Sequence, residues 1–205
     1  MEVIYVPWDK VIKMCYKLAE KIIDSEKEFD ILIAVSRGGF IPARIVSDVI
    51  CLDEVYTIRS KFWGVGGTIA PEPILGVYEK MDIADKRILI VDDVVDTGST
   101  LLKIKSLLEK IGAKSVSSGV LHYKTRSKLK PDYYVEEVRK WTWIFYPWSL
   151  FETLYSLSKS EKEIEHEELL NEASRIVNKF GVELPLSSPK YLRKGLELYI
   201  KRLKS

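Results

Sequence analysis

Apolar positions recur at helical spacing from Trp8 to Ser25, where Val11, Cys15, Leu18 and Ile22 are flanked by Ile12, Ala19 and Ile23. That period predicts an amphipathic helix with Cys15 on its buried face. The run Asp30–Ser36 is then almost continuously apolar and rich in branched residues, as a strand covered on both faces would be. After Arg37-Gly38-Gly39, helical spacing resumes from Ile41 to Ile50, with Pro42 tolerated in the first turn. Val55–Arg59 predicts another strand. From Ser60 to Pro73 the chain holds Gly64, Gly66, Gly67, Pro71 and Pro73 without an apolar period, which predicts a long mobile loop. A strand is expected again over Ile74–Tyr78. Arg87–Asp92 predicts a second buried central strand, and Leu101–Ile111 a helix closed by Gly112. Val116–Tyr123 and Tyr133–Val138 complete the strands. This alternation predicts a doubly wound α/β domain with a mostly parallel sheet and helices on both faces. Beyond Phe151 the character changes to two charged helical stretches, Glu161–Phe180 and Pro189–Leu203, the first acid-rich and the second basic. The expected division is therefore a core over residues 1–150 and a helical C-terminal extension over 151–205.

Composition adds mainly exclusions. The chain has 205 residues, 46% hydrophobic and 30% charged, so one core with an appendage is the expectation. Its 32 basic and 30 acidic residues leave a formal charge of +2, which fits neither a disordered polyelectrolyte nor a dedicated nucleic-acid polycation. No apolar run approaches the roughly 18 residues that span a bilayer. Asp9, Lys10 and Lys13 interrupt any signal-peptide-like stretch. Cys15 and Cys51 build neither a disulfide framework nor a zinc site. His122 and His166 lack ligand spacing, so no metal role is expected for either. These features imply a soluble cytoplasmic protein with neither a membrane nor a nucleic-acid partner.

The chemistry concentrates in Ile88–Thr100, a buried strand that ends in Asp92-Asp93 and continues through Asp96-Thr97-Gly98-Ser99-Thr100 into a helix. In open α/β sheets ligands bind beyond the carboxyl ends of the strands, where this segment ends. Backbone N–H groups at a helix N-terminus, three hydroxyls and a glycine that admits close approach make a phosphate cradle. Three carboxylates beside a phosphate would repel it unless they hold sugar hydroxyls, a metal ion or a proton. The segment thus predicts a ligand that combines phosphate, ribose and Mg²⁺. No Walker A motif is present, and the acidic pair lies mid-chain, unlike that of a receiver domain.

Val91–Thr100 resembles the phosphoribosyl pyrophosphate (PRPP) motif of type I phosphoribosyltransferases: apolar strand, two acids, two apolar residues, then Asp-Thr-Gly. Ser36-Arg37-Gly38-Gly39 resembles that family's short pyrophosphate loop, in which the peptide entering the loop (here Ser36–Arg37) is often cis. Lys124, followed by Trp143-Ile144 before Pro147-Trp148, resembles the base-binding hood of bacterial xanthine-guanine and hypoxanthine phosphoribosyltransferases, the purine branch. The likeness covers residues 1–150. It implies transfer of 5-phosphoribosyl from PRPP to a purine base, releasing pyrophosphate and a purine nucleoside monophosphate. It implies that Asp92 and Asp93 hold the ribose hydroxyls and Mg²⁺, and that Asp96 is the acid/base near purine N7. Asp96, Thr97, Gly98, Ser99 and Thr100 would wrap the 5-phosphate. Ser36, Arg37 and Gly38 would receive pyrophosphate, with Arg59 and Lys61 reaching toward it. Lys124 would donate to the base O6, Trp143 would stack on the base and the Ile144 backbone would read its edge. The 60–73 loop would close over the site, and Lys61-Phe62-Trp63-Gly64 departs there from the aromatic-serine pair of relatives. A homodimer or homotetramer is also implied.

Two alternatives remain open at this level. Adenine presents a donor rather than an acceptor at C6, and hood carbonyls could read it without Lys124, giving AMP. A non-catalytic regulator of the same fold would sense PRPP or nucleotides and use a basic face such as Lys124–Lys130 or Lys201-Arg202-Leu203-Lys204.

Overall fold

A computed structural model describes residues 2–61, 63–64, 67–68, 72–76, 81–158, 166–182 and 189–203. Its centre is a six-stranded sheet of β2 (Ile31–Ser36), β3 (Val55–Lys61), β6 (Ile74–Gly76), β7 (Arg87–Val95), β8 (Ser115–Lys124) and β9 (Tyr133–Val138). The strand order is β6-β3-β2-β7-β8-β9, parallel throughout except for the edge strand β6. The fold is the mostly parallel α/β arrangement that the alternation predicts.

Period-two alternation in β2 and β7 divides the core in two. Leu32, Ala34, Leu89 and Val91 face one layer, where α1 (Trp8–Ile23) buries Val11, Cys15 and Leu18 and α2 (Phe40–Val49) buries Ala43 and Val46. Ile33, Ile88 and Ile90 face the other layer, against Leu101, Ile104 and Leu108 of α3 (Ser99–Lys110). Covering both faces with helices explains why these strands read as unbroken apolar runs.

Several boundaries move. The first helix stops at Ile23, and β7 runs three residues beyond Asp92, so both acids of the pair lie within the strand. The segment expected to be a loop from Ser60 contains the end of β3 and a short antiparallel pairing of β4 (Trp63–Gly64) with β5 (Gly67–Thr68). Its expected closing motion and residues 62, 65–66 and 69–71 lie outside what is described. Four further elements have no counterpart in the sequence reading. β1 (Glu2–Tyr5) pairs in parallel with β10 (Thr142–Phe145), with Ile4 opposite Ile144. A 3₁₀ turn over Pro147–Ser149 then feeds α4 (Leu150–Ser158).

Helix α4 packs with α5 (His166–Lys179) and α6 (Pro189–Leu203) around a separate apolar cluster containing Leu154, Ala173, Ile176 and Leu196. The expected helix from Glu161 is described from His166 onward, and residues 159–165 lie outside the description. Among the described residues, no helix is long and apolar enough to cross a membrane.

Candidate active site

At the carboxyl ends of β2 and β7 lies a cavity of about 550 Å³. Ser36, Arg37, Gly38, Asp92, Asp93, Asp96, Thr97, Gly98, Thr100, Lys124, Trp143 and Ile144 all line it. Segments more than a hundred residues apart in the chain, such as Ser36 and Ile144, therefore meet where a parallel sheet places its ligands. Ser99 and Arg59 are not among the lining residues, and the Lys61 side chain is outside the description.

The acidic pair is partly buried at the cavity wall. Burial, and then the like charge of Asp93, push Asp92 well above the usual carboxylate range. Burial also raises Asp93, opposed chiefly by the Trp148 indole N–H, which donates to Asp93 Oδ2 at 3.0 Å. Trp148 stacks flat on Tyr146, with ring centroids 4.7 Å apart and 9° between planes. The Tyr146 hydroxyl, in turn, lies 2.9 Å from the Asp93 carbonyl oxygen and 2.6 Å from His122 Nδ1. One phenolic proton serves only one of these acceptors at a time. When His122 carries its proton on Nε2, facing Glu136 at 3.2 Å, Tyr146 donates to Nδ1. With the His122 proton on Nδ1, Tyr146 donates to Asp93 instead.

Two crowded carboxylates whose charged forms burial disfavours are suited to a divalent cation. Among the described residues no third metal-ligating side chain joins them. A hard cation such as Mg²⁺, which takes one or two carboxylates and completes its shell with ligand oxygens and water, fits that donor set.

The turn expected to cradle phosphate has a geometry that its residue types explain. Gly98 adopts φ +81°, and a Cβ there would sit 2.4 Å from Ser127 Oγ. Only glycine enters α3 in this conformation without strain. Thr97 Oγ1 donates to Ser99 Oγ at 3.2 Å, and Thr100 Oγ1 lies 3.3 Å from Ser60 Oγ. On the opposite wall the Ser36–Arg37 peptide is cis, as the resemblance implies. Gly38 follows it, and a Cβ on Gly38 would lie 2.4 Å from Asp93 Oδ2, so the loop and the acidic strand are in close contact.

Lys124 is buried, and its ammonium donates to Asp96 Oδ2 at 2.7 Å. Arg126 donates to the other oxygen of Asp96, through Nε at 2.7 Å and also through Nη2. Both cations lie over the Trp141 ring, 5.6 and 5.9 Å from its centroid. The Trp143 indole is fixed by donation to Thr153 Oγ1 of α4 at 3.1 Å. Trp141, Tyr146, Trp148, Glu152 and Ser156 also line the cavity, although none was assigned to the site from sequence. The Pro147-Trp148 dipeptide was the available signal for Trp148; nothing local pointed to Glu152.

A phosphoribosyl transferase domain model matches residues 4–155. The chain belongs to the type I phosphoribosyltransferase family, in its purine branch. It is 29% identical over 149 residues to a xanthine-guanine phosphoribosyltransferase of Cereibacter sphaeroides, covering 71% of this chain and 86% of that protein. A purine phosphoribosyltransferase structure from Pyrococcus horikoshii superposes with a TM-score of 0.62 at 36% identity, over 72% of this chain and 95% of the other. A Neisseria gonorrhoeae protein crystallised with bound ppGpp also gives a TM-score of 0.62, at 25% identity, over 85% of this chain and 97% of its own. The matched region of this phosphoribosyltransferase spans every residue from Ser36 to Glu152 named above at the cavity and ends inside α4.

Proposed function

We propose that the protein transfers the 5-phosphoribosyl group of PRPP to a 6-oxopurine, yielding the purine nucleoside 5′-monophosphate and pyrophosphate. The observation that carries this reading is the cavity itself, in which an acidic strand end, a phosphate cradle, Arg37 and a buried Lys124 converge. Lys124 is a pure donor and complements the O6 acceptor of hypoxanthine, guanine or xanthine, whereas adenine offers an amino donor there. The xanthine-guanine enzyme of C. sphaeroides and the purine enzyme of P. horikoshii support the same substrate class.

In this reading Thr97–Thr100 hold the 5-phosphate with backbone and hydroxyl donors, and Ser36–Gly38 receive the diphosphate. Asp92 and Asp93 orient the ribose hydroxyls and supply the donor oxygens for Mg²⁺. When bound, Mg²⁺ neutralises charge that develops on the departing diphosphate. Trp143, held by Thr153, stacks on the base, while the Ile144 backbone reads its edge. Asp96 faces N7, from which it accepts or returns a proton as N9 attacks the ribose C1. The transition state carries oxocarbenium character, so positioning and charge stabilisation do most of the work.

A panel of purines supplied with PRPP and Mg²⁺ tests the proposal. Nucleoside monophosphate and pyrophosphate are expected from one or more 6-oxopurines at higher kcat/KM than from adenine. A preference for adenine would replace the substrate assignment. A second reading, a nucleotide-sensing protein without turnover, is favoured by one observation, the ppGpp held by the N. gonorrhoeae protein. Tight PRPP binding with no product from any purine would select it.

A further inference from the structure

Helix α4, where the C-terminal extension begins, reaches the loop read above as the diphosphate site. Glu152 sits on the first turn of α4 and lines the cavity, with its Oε2 3.5 Å from Arg37 Nη2. The two sides of this ion pair are unequal. The Arg37 side chain is 82% exposed and Glu152 only 26%. Burial raises the Glu152 carboxyl above its ordinary value, and the Arg37 guanidinium acts against that rise. The carboxylate therefore depends on the arginine more than the arginine depends on it. Tyr199 of α6 is pushed up to about 12 by burial and by the Glu152 charge, with Arg37 opposing, so a second helix of the extension shares this electrostatic neighbourhood. One turn along α4, Ser156 lines the same cavity, and its Oγ is buried with no hydrogen-bond partner.

We propose that Glu152 is a built-in competitor for the diphosphate: it occupies Arg37 in the ligand-free protein and surrenders the guanidinium when PRPP or pyrophosphate enters. This rests on reading Ser36–Gly38 as the diphosphate loop. An ion pair at 3.5 Å to an exposed arginine is weak, whereas a diphosphate offers the same guanidinium a forked pair of charge-assisted hydrogen bonds. The exchange is thus easy in one direction. The released carboxylate takes the Ser156 hydroxyl as its donor, one helical turn away on the same face. By charging each diphosphate the cost of displacing Glu152, the extension weakens the hold on the pyrophosphate product and favours its departure.

Pyrophosphate titrated calorimetrically into the full-length protein with magnesium chloride tests this, using wild type, Glu152→Gln, Arg37→Ala and the double variant. Glu152→Gln is expected to tighten pyrophosphate binding about three- to tenfold, as removal of one charge at close range should. In the Arg37→Ala background the same substitution is expected to gain less than about twofold, because the competitor has nothing left to compete for. An equal gain in both backgrounds would show simple repulsion and overturn the proposal, as would unchanged or weaker binding by Glu152→Gln. Arg37→Ala with wild-type affinity would instead remove the loop assignment on which the proposal rests. Glu152→Asp keeps the charge but retracts it by one methylene. Its expected gain is smaller and of the same sign, which keeps the test decisive if the glutamine variant folds poorly.

Discussion

Lys124 and Asp96 lie 28 residues apart in sequence and share a hydrogen bond of 2.7 Å at the cavity wall. With Arg126 on its other oxygen, Asp96 is held between two cations, and Trp141 packs beneath both. In the proposed reaction, a base entering here would meet an acid and its counter-charges as one unit. Asp96→Asn keeps the shape but loses the proton acceptor, so turnover is expected to fall by roughly 10²–10⁴ with PRPP affinity largely retained. Lys124→Ala is expected to impair 6-oxopurine use far more than adenine use. Steady-state kinetics with both base types check the pair, and equal losses for the two bases would exclude Lys124 from reading C6.

Trp148→Phe separates packing from hydrogen bonding at the acidic pair. Phenylalanine preserves much of the stack on Tyr146 but removes the N–H that Asp93 Oδ2 accepts. Hydrogen bonds to charged groups contribute about 1.5–3 kcal/mol, so KM for PRPP is expected to rise on the order of tenfold at limiting Mg²⁺. The defect should shrink as Mg²⁺ is raised, since the cation and the indole stabilise the same carboxylate charge. An unchanged KM across the magnesium series would confine Trp148 to packing.

The parts of this site that were legible in the sequence are those carried by local periodicity. The alternation of β2 and β7, the Asp92–Thr100 turn and Arg37-Gly38 each announce themselves within a dozen residues. What escaped depends on distant partners. Trp148 reads as packing until Asp93, 55 residues earlier, is seen to accept its N–H. Lys124 and Asp96 were separate assignments that three-dimensional pairing joins. β1 has only four residues, and its order comes from pairing with β10, about 140 residues away, rather than from its own pattern. Glu152 looks like any helical acid until α4 folds back beside Arg37. The expected boundary at residue 150 hid this, because α4 starts where the core was taken to stop.

His122 gives the protein a pH-dependent stability. It is fully buried, and burial pushes it down from 6.5 to about 4. The unfolded chain therefore binds a proton below about 6.5 while the native protein resists doing so until about 4. Native stability is complete above that upper value and declines as pH falls through the window. Between pH 7 and 5, above the ordinary range of Glu136, the decline attributable to His122 is expected to be on the order of 1–2 kcal/mol. His122→Gln, although less stable at pH 7, should lose much less over the same interval. Urea unfolding at several pH values measures both slopes, and parallel slopes would show that His122 does not carry the effect.

Gly195 is where α6 packs against the residue next to Glu152. A Cβ on this α6 residue would lie 2.3 Å from Cζ of Phe151, the neighbour of Glu152. Alanine in a helix interior is worth about 0.5–1 kcal/mol over glycine by propensity alone. Overpacking against an aromatic ring costs typically about 1–3 kcal/mol, so the clash is expected to win. Gly195→Ala should therefore destabilise the α4–α6 cluster, whose apolar contacts are separate from those of the sheet. Hydrogen exchange is expected to quicken in α5 and α6 while β2, β7 and β8 remain protected. A displaced Phe151 would also shift the turn that carries Glu152, and pyrophosphate affinity is expected to move toward that of Glu152→Gln. Faster exchange in the extension with wild-type pyrophosphate affinity would show that the cluster and the Arg37–Glu152 contact are energetically independent.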